Sequence, residues 1–365
     1  MTIHAPKPAI GLDNVPAAET SLSHVDGERG ELIIAGRYVG DLVAEGGFEH
    51  ATALLWSSAS GKPISADEVQ KALGEARVAA FADIKRLLGG TEGMDTVAAF
   101  RAALAALRPV DGIAPRALAT GAAAVIAGAL VRRSRGLAPV APNARYAHAA
   151  DYLQMMWGNN APSEREAAAM DAYLVTASDH GLNASTFAAR VVASTHADLF
   201  AAVTAAYCAL TGPLHGGAPE PVLDMLDAIG TRERIKPWIE NELDKGERLM
   251  GFGHRVYRVR DPRADVLKGA LERLNPNNSR MTFALEVEAA ARAELAKRHP
   301  KRPLDTNVEF YTALLLDALD IPRAAFTPTF AVSRMAGWTA HIEEQVRRGR
   351  LLRPGSVYIG AMPGS

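Results

Sequence analysis

The sequence of 365 residues predicts a mainly α-helical protein with a small β-hairpin near its N-terminus. Two observations carry this prediction. Amphipathic segments bounded by capping residues follow one another from residue 48 onward. Strand character is confined to residues 21–35, where the pair Asp26-Gly27 separates two short runs and predicts a hairpin turn.

Capping residues indicate where the helices begin and end. Ser163 followed by Glu166 predicts a helix start, and Gly181 predicts its stop just after His180. Asp198, three residues after Thr195, precedes a new apolar run, which predicts two helices over 185–194 and 196–211. Further helices are predicted over residues 48–56, 66–73, 78–88, 95–107, 115–133, 146–157 and 219–226.

Alanine and glycine fill several of these helices, above all residues 117–131 and 184–209. Small side chains let helix axes approach closely, which favours a densely packed bundle or a helix-mediated dimer. The hydrophobic fraction of 48% is enough for a sizeable core, in one large domain with an insertion or in two domains.

Charge and cysteine content exclude several classes of protein. The 40 basic and 41 acidic residues nearly cancel, which argues against general nucleic-acid or membrane-surface binding. The single cysteine, Cys208, excludes an intrachain disulfide framework and a cysteine-based zinc site. The N-terminus lacks signal-peptide features, and the apolar run 117–131, about 15 residues long, is shorter than the ~20 that span a bilayer. We therefore expect a soluble cytoplasmic protein.

Two histidines lie at opposite kinds of helix end. His215 precedes Gly216-Gly217 and the helix that Pro219 opens, so the positive end of that helix should keep its imidazole neutral. A neutral histidine there could donate a hydrogen bond to a developing enolate oxygen, although a turn histidine that satisfies backbone groups remains the alternative. His180 lies at a predicted helix C-terminus, which favours the imidazolium and contact with a substrate carboxylate; a routine helix-terminal histidine is the alternative.

His254 lies between two glycines and a cluster of arginines. Gly251 and Gly253 leave the backbone accessible, and Arg258, Arg260 and Arg263 follow, the last in the first turn of a helix that Asp261-Pro262 begins. Such a cluster suits carboxylates and the phosphates of a nucleotide-like carrier. A solvated basic surface is the alternative for some of these arginines.

One glutamate and two arginines complete the candidates. Glu309 forms a capping box with Thr306 or acts as a general base for a carbon acid, two competing uses of one carboxylate. Arg334 lies among small apolar residues and needs a partner if it is buried, for which a ligand carboxylate is a candidate. Arg353 follows a basic run and is, by default, a solvated tail residue.

Five motifs occur in a characteristic order: LNASTFAARV (182–191), GPLHGG (212–217), MGFGHRVYRVRDPRA (250–264), NVEFY (307–311) and FTPTFAVSRMAGWTAHIEEQ (326–345). Together with the N-terminal stretch VPAAETSLSHVDGERGELIIAGR (15–37), they resemble the citrate synthase family over nearly the whole chain. The length is similar to that of the shorter homodimeric members rather than the hexameric, NADH-regulated ones. The resemblance implies a two-domain helical homodimer, with a large domain of residues 1–214 and 310–365 and a small CoA-binding domain of residues 215–309.

The resemblance also implies an acyltransferase of the si type, which condenses acetyl-CoA with oxaloacetate and needs no metal or other cofactor. His215 matches the histidine that polarises the thioester oxygen, Glu309 the residue that removes the methyl proton, and His254 the histidine at the oxaloacetate carbonyl. The matching oxaloacetate-binding residues are His180, Arg263, Arg334 and Arg353, the last reaching the neighbouring protomer's site. The matching CoA-binding residues are Met250, Gly251, Phe252, Gly253 and Arg258.

Two positions depart from the family pattern. Glu309 stands where aspartate is usual, and the extra methylene displaces the carboxylate by about 1 Å, an error that can cost roughly a hundredfold in rate. Gly181 stands where many members have glutamate. A 2-methylcitrate synthase that uses propionyl-CoA is a second hypothesis, since one methylene in an apolar pocket discriminates by only about 1–3 kcal/mol. A catalytically weakened paralogue that binds CoA or oxaloacetate is a third.

Overall fold

The computed structural model describes residues 10–12, 15–158, 161–213, 215, 219–254, 256–276, 279–300 and 304–363. The chain is mainly α-helical, as predicted. Its helices are α1 Val39–Glu45, α2 Gly47–Ser60, α3 Ala66–Ala82, α4 Ile84–Leu88, α5 Thr96–Ala105, α6 Pro115–Ser134, α7 His148–Trp157, α8 Glu164–Ala177, α9 Ala184–Ala193, α10 Leu199–Leu210, α11 Glu220–Ile229, α12 Ile235–Asp244, α13 Pro262–Leu274, α14 Ser279–Arg298, α15 Val308–Ala318 and α16 Phe326–Arg348.

The predicted hairpin is part of a three-stranded antiparallel sheet. Strands β1 Ser23–Asp26 and β2 Glu31–Ile34 pair across the turn, with Ser23 opposite Ile34. A third strand, β3 Arg37–Tyr38, pairs with β2 and was not predicted, because two residues are too short to show alternation. The buried side chains of Leu32 and Ile34 attach the sheet to the helical core.

Capping interactions set several helix boundaries as the sequence predicts. The Ser163 hydroxyl accepts from the Glu166 amide, and the Glu166 carboxylate reaches back to the Ser163 amide, which completes the predicted capping box of α8. Asp198 caps α10, which confirms two helices where the apolar block looked continuous. Helix α8, however, ends at Ala177 rather than at His180. Gly181 has the predicted left-handed conformation (φ 60°) but belongs to the connection between α8 and α9.

Helix α6 passes through the middle of the core. Its residues from Ala117 to Val131 are all buried, and it packs against α3, α5, α7 and α16. It is 20 residues long, because arginines at both ends extend the helix beyond the apolar run. By length and composition alone α6 could cross a membrane, but 83% of its apolar window is buried inside the protein, as is typical of a core helix.

The last long helix, α16, packs against α2, α6, α8, α9 and α10 and positions three segments of the chain. Its Trp338 Nε1 donates to Ser185 Oγ at 3.2 Å, at the start of α9. His341 Nε2 lies 3.2 Å from Asp179 Oδ1, in the connection that carries His180. The Glu344 carboxylate accepts from the Ser21 amide, just before β1.

Candidate active site

A cavity of about 1060 Å³ lies where the 178–183 connection, the loop before α13 and the start of α15 meet α16. Six of the residues predicted from the sequence line this one cavity, although they come from five separate stretches of chain. They are His180, His215, His254, Arg263, Glu309 and Arg334.

His215 is held by the first turn of α9. The amide of Ser185 donates to His215 Nε2 at 3.2 Å, and the Ser185 hydroxyl lies 2.9 Å from the same nitrogen. Because Nε2 accepts a hydrogen bond from an N–H, we assign the ring proton to Nδ1. Burial and the positive charge of Arg334 lower the pKa of His215 to about 4. The predicted neutral state is confirmed, with burial as the main cause and the charge of Arg334 as the second. Gly216 and Gly217, the predicted close-approach residues, lie outside the described residues.

His254 has the opposite tautomer. Its Nδ1 accepts from the amides of Val256 at 3.0 Å and Tyr257 at 3.1 Å, so the proton of the neutral ring is on Nε2. Burial and the charge of Arg263 lower the pKa of His254 to about 4. The ring therefore presents an N–H donor beside the Arg263 guanidinium, whose Nη2 is 3.4 Å from Nε2.

His180 corrects one of our expectations. Burial, followed by the charges of Arg263, His254 and Arg334, lowers the pKa of His180 well below its usual value. The predicted imidazolium is therefore wrong for the protein without ligand. The helix C-terminus that would favour it is three residues away, and burial of the ring, together with the nearby arginines, outweighs any effect of that terminus.

The two cavity arginines are buried in different ways. Arg263 pairs with Asp261, through Nε to Oδ1 at 3.0 Å and Nη2 to Oδ2 at 2.8 Å. Arg334 donates from Nε to the carbonyl of Ala177 at 2.7 Å, and no ion pair to its guanidinium exists within the described ranges. Burial lowers the pKa of Arg334 to about 10, so it is charged at neutral pH. The nearby charge of Asp179 acts on Arg334 without a direct ion pair, so the terminal N–H groups of the guanidinium could pair with a bound anion.

Glu309 is free of the capping role that competed for its carboxylate. The N-cap of α15 is Asn307, whose side chain accepts from the Glu309 amide at 2.9 Å, so the predicted box between Thr306 and Glu309 is absent. In the part of the chain that the structure describes, no hydrogen bond or ion pair holds the Glu309 carboxylate. Burial raises its pKa to about 6, against the opposing effect of Arg263.

The remaining predicted residues lie outside the cavity lining. Gly251 (φ 83°) and Gly253 (φ 77°) let their loop pack closely, because a Cβ at Gly251 would meet Phe310 of α15 at 2.9 Å and one at Gly253 would meet Leu304 at 3.1 Å. This close packing accounts for both glycines without a ligand. Phe252 bridges to Thr306, and Met250 is exposed.

Two predicted arginines are also exposed. Arg258 donates its amide to the carbonyl of Gly27, and its side chain approaches Glu28 at 3.9 Å. Arg353 lies in the C-terminal segment that follows α16 without regular structure.

Four residues that contact the site were not predicted as site residues from the sequence, although Asp261 was predicted to begin a helix. Ser185 contacts His215, Asp261 pairs with Arg263, and Asn307 positions Glu309 while its Nδ2 donates to the carbonyl of Gly253 at 2.8 Å. Tyr257 Oη lies 3.1 Å from His180 Nε2. Asp261 and Asn307 have a signal in the sequence, since both are helix N-caps before a candidate residue, whereas Ser185 and Tyr257 contact residues that are distant in the chain.

A family model, "Citrate synthase, C-terminal domain", matches residues 11–355. The chain belongs to the citrate synthase family. The "Putative citrate synthase 2" of Mycobacterium tuberculosis is 50% identical over 204 residues, which are 56% of this chain and 54% of that relative, so the match spans about half of its length.

Two further relatives match over almost the whole chain. A "2-methylcitrate synthase" of M. tuberculosis is 36% identical and covers 97% of this chain and 92% of its own length. The structure of a ternary complex of carboxymethyl coenzyme A and oxaloacetate with citrate synthase from Thermoplasma acidophilum superposes with a TM-score of 0.85. It is 28% identical and covers 98% of this chain and 97% of its own.

Proposed function

We propose that the protein is a citrate synthase, which condenses acetyl-CoA with oxaloacetate and water to give citrate and CoA. The observation that carries this proposal is the pair formed by neutral His215 and Glu309 in one cavity with the buried arginines Arg263 and Arg334. The pair suits enolisation of a thioester, and the arginines suit a dicarboxylate.

The first proposed step makes the enol of the thioester. The carboxylate of Glu309 removes a proton from the methyl carbon, while the Nδ1–H of His215 donates a hydrogen bond to the thioester oxygen. A pKa of about 6 leaves Glu309 mostly ionised at pH 7.5 and still a stronger base than a solvated carboxylate. A neutral histidine is the appropriate donor, because its high second pKa is matched to that of an enol.

The second step joins two carbon atoms. The enol carbon attacks the ketone carbon of oxaloacetate, whose oxygen accepts a hydrogen bond from the Nε2–H of His254. Over the two steps one proton passes from the methyl carbon to the new hydroxyl group. Water then cleaves the thioester, which releases CoA as a thiol and makes the sequence irreversible.

The carboxylates of oxaloacetate would pair with the two buried arginines of the cavity. Arg334 has spare terminal N–H donors in a buried position, and bidentate pairing with a carboxylate would compensate its desolvation. Asp261 holds Arg263 in a fixed orientation and compensates its charge, so Arg263 would contribute hydrogen-bond donors in fixed positions more than net positive charge.

The parts of the site outside the cavity belong to the same proposal. Residues 215–309 would form a small domain that closes over the substrates, and residues 250–253 with Arg258 would receive CoA. Arg353 would reach the site of the partner in a cytoplasmic homodimer. The reaction requires no metal or other cofactor.

A 2-methylcitrate synthase remains the second candidate, favoured by the full-length relative of that name. Propionyl-CoA has one methylene more than acetyl-CoA, and the apolar cavity wall near Phe187 and Val308 would have to accommodate it. A paralogue that binds ligand without turnover is the third candidate, motivated by Glu309 in place of aspartate.

Thiol release from acetyl-CoA and propionyl-CoA, each with and without oxaloacetate, separates the three. Oxaloacetate-dependent release that yields citrate, with higher kcat/KM for acetyl-CoA, is expected. Equal or better efficiency with propionyl-CoA would favour the methylcitrate reaction. Oxaloacetate binding without release, in wild type and in Glu309→Asp, would identify the binding paralogue.

A further inference from the structure

Tyr257 lies behind the cavity wall and contacts three of the proposed oxaloacetate ligands. Its side chain is 2% exposed and does not line the cavity. It is part of the loop that leads into α13, four residues before Asp261. The reaction sequence proposed above gives this tyrosine no role.

The contacts of Tyr257 are of three kinds. Its hydroxyl oxygen lies 3.1 Å from Nε2 of His180. Its backbone amide donates to Nδ1 of His254 at 3.1 Å, and its ring centroid is 4.7 Å from that of His254. The guanidinium carbon of Arg263 lies 5.9 Å from the centre of its ring.

We propose that Tyr257 is a positioning residue, which orients His180, His254 and Arg263 for binding oxaloacetate. This inference rests on the proposed function, since it assigns Tyr257 to the dicarboxylate half of that site. The hydroxyl group fixes His180, the amide fixes the tautomer of His254, and the ring supports both.

The hydrogen bond to His180 joins two separate parts of the chain. His180 lies between α8 and α9, whereas Tyr257 precedes α13, so the bond crosses the boundary between the two proposed domains. No other hydrogen bond or ion pair involves the His180 ring nitrogens and another described side chain. Burial raises the pKa of Tyr257, so the hydroxyl stays protonated and keeps its hydrogen at neutral pH.

Two substitutions separate the hydroxyl group from the ring. Tyr257→Phe keeps the ring and removes the hydroxyl, so KM for oxaloacetate should rise about threefold to tenfold, the range for one neutral hydrogen bond. KM for acetyl-CoA should stay within about twofold. Tyr257→Leu also removes the ring contacts to His254 and Arg263, so this variant should have a lower kcat in addition to a higher KM for oxaloacetate. The matched control is Tyr207→Phe, because Tyr207 is equally buried but its hydroxyl donates to the carbonyl of Val97, away from the cavity.

Nitrogen-15 NMR of the histidine rings tests the contact without any substrate. The His180 signals, assigned by their loss in His180→Gln, should shift in Tyr257→Phe and remain unchanged in Tyr207→Phe. Unshifted His180 signals together with an unchanged KM or dissociation constant for oxaloacetate would overturn the inference. Failure of the proposed function looks different: the wild type would then release no thiol, while the ring signals would still report the tyrosine contact.

Discussion

Replacing Glu309 with glutamine is expected to stabilise the folded protein at alkaline pH while removing its turnover. The pKa of Glu309 is raised from 4.5 to about 6 by burial. A raised carboxyl pKa contributes stability that is fully present below the unfolded pKa and is lost as the pH rises through the folded value. The ionised carboxylate therefore weakens the folded state above pH 6.

The size of the effect follows from the two pKa values. A difference of about 1.5 units corresponds to about 2 kcal/mol at pH 8, and to less than about 1 kcal/mol at pH 5, where both states are partly protonated. The uncharged glutamine avoids this loss at every pH. The gain from Glu309→Gln should therefore grow between pH 5 and pH 8.

The assay is thermal unfolding of wild type and Glu309→Gln at equal protein concentration across that pH range, with thiol release measured alongside. We expect a Tm increase of a few degrees at pH 8, a smaller one at pH 5, and loss of oxaloacetate-dependent release. Glu272→Gln, at an exposed position of α13, is the control and should show no such trend. A Glu309→Gln variant whose Tm difference from wild type is the same at both pH values would refute the argument.

Four further results are expected. The acid limb of kcat/KM for acetyl-CoA should lie near pH 6, because Glu309 must be ionised, and a flat profile from pH 5 to 7 would contradict its role as base. Ser185→Ala should lower kcat about tenfold with little change in KM for oxaloacetate, because the hydroxyl contact to His215 is lost while the amide hydrogen bond remains. An unchanged kcat would count against a role for the hydroxyl contact. Arg334→Met should abolish oxaloacetate binding in calorimetry yet raise the Tm of the ligand-free protein, because it removes a buried charge whose dominant effect is its desolvation cost. Retained binding would exclude Arg334 as a ligand. Gly337→Ala should lower the Tm by about 5 °C or more, because its Cβ would lie 2.4 Å from the carbonyl oxygen of Ser178, and an unchanged Tm would show that α16 can shift.

Local signals in the sequence predicted much of the helical fold. Capping residues such as Ser163 and Asp198 act within one turn of helix, so their effect depends little on the rest of the chain. The third strand and the true end of α8 were missed. The first is too short to show a pattern, and the second depends on how the 178–183 connection packs against α16.

The candidate residues of the cavity could be named from the sequence, but the electrostatic states of only some of them could be predicted. The charge of His180 was inferred from a helix terminus, whereas burial near Arg263 and Arg334 determines it. The use of Glu309 was left open between cap and base, and only the position of Asn307 decides against the cap. Contacts between distant segments, such as that of Tyr257 with His180, have no local signal.

Helix α16 should tolerate insertions and deletions poorly. Arg334, Trp338 and His341 lie on the same side of the helix, because they are spaced by three or four residues, and each contacts a different part of the site. One residue inserted just before Arg334 would rotate everything after it by about 100° relative to the preceding turns. All three contacts would then be lost together. A substitution of Arg334, Trp338 or His341 removes one of these contacts, whereas an insertion or deletion there would remove all three at once.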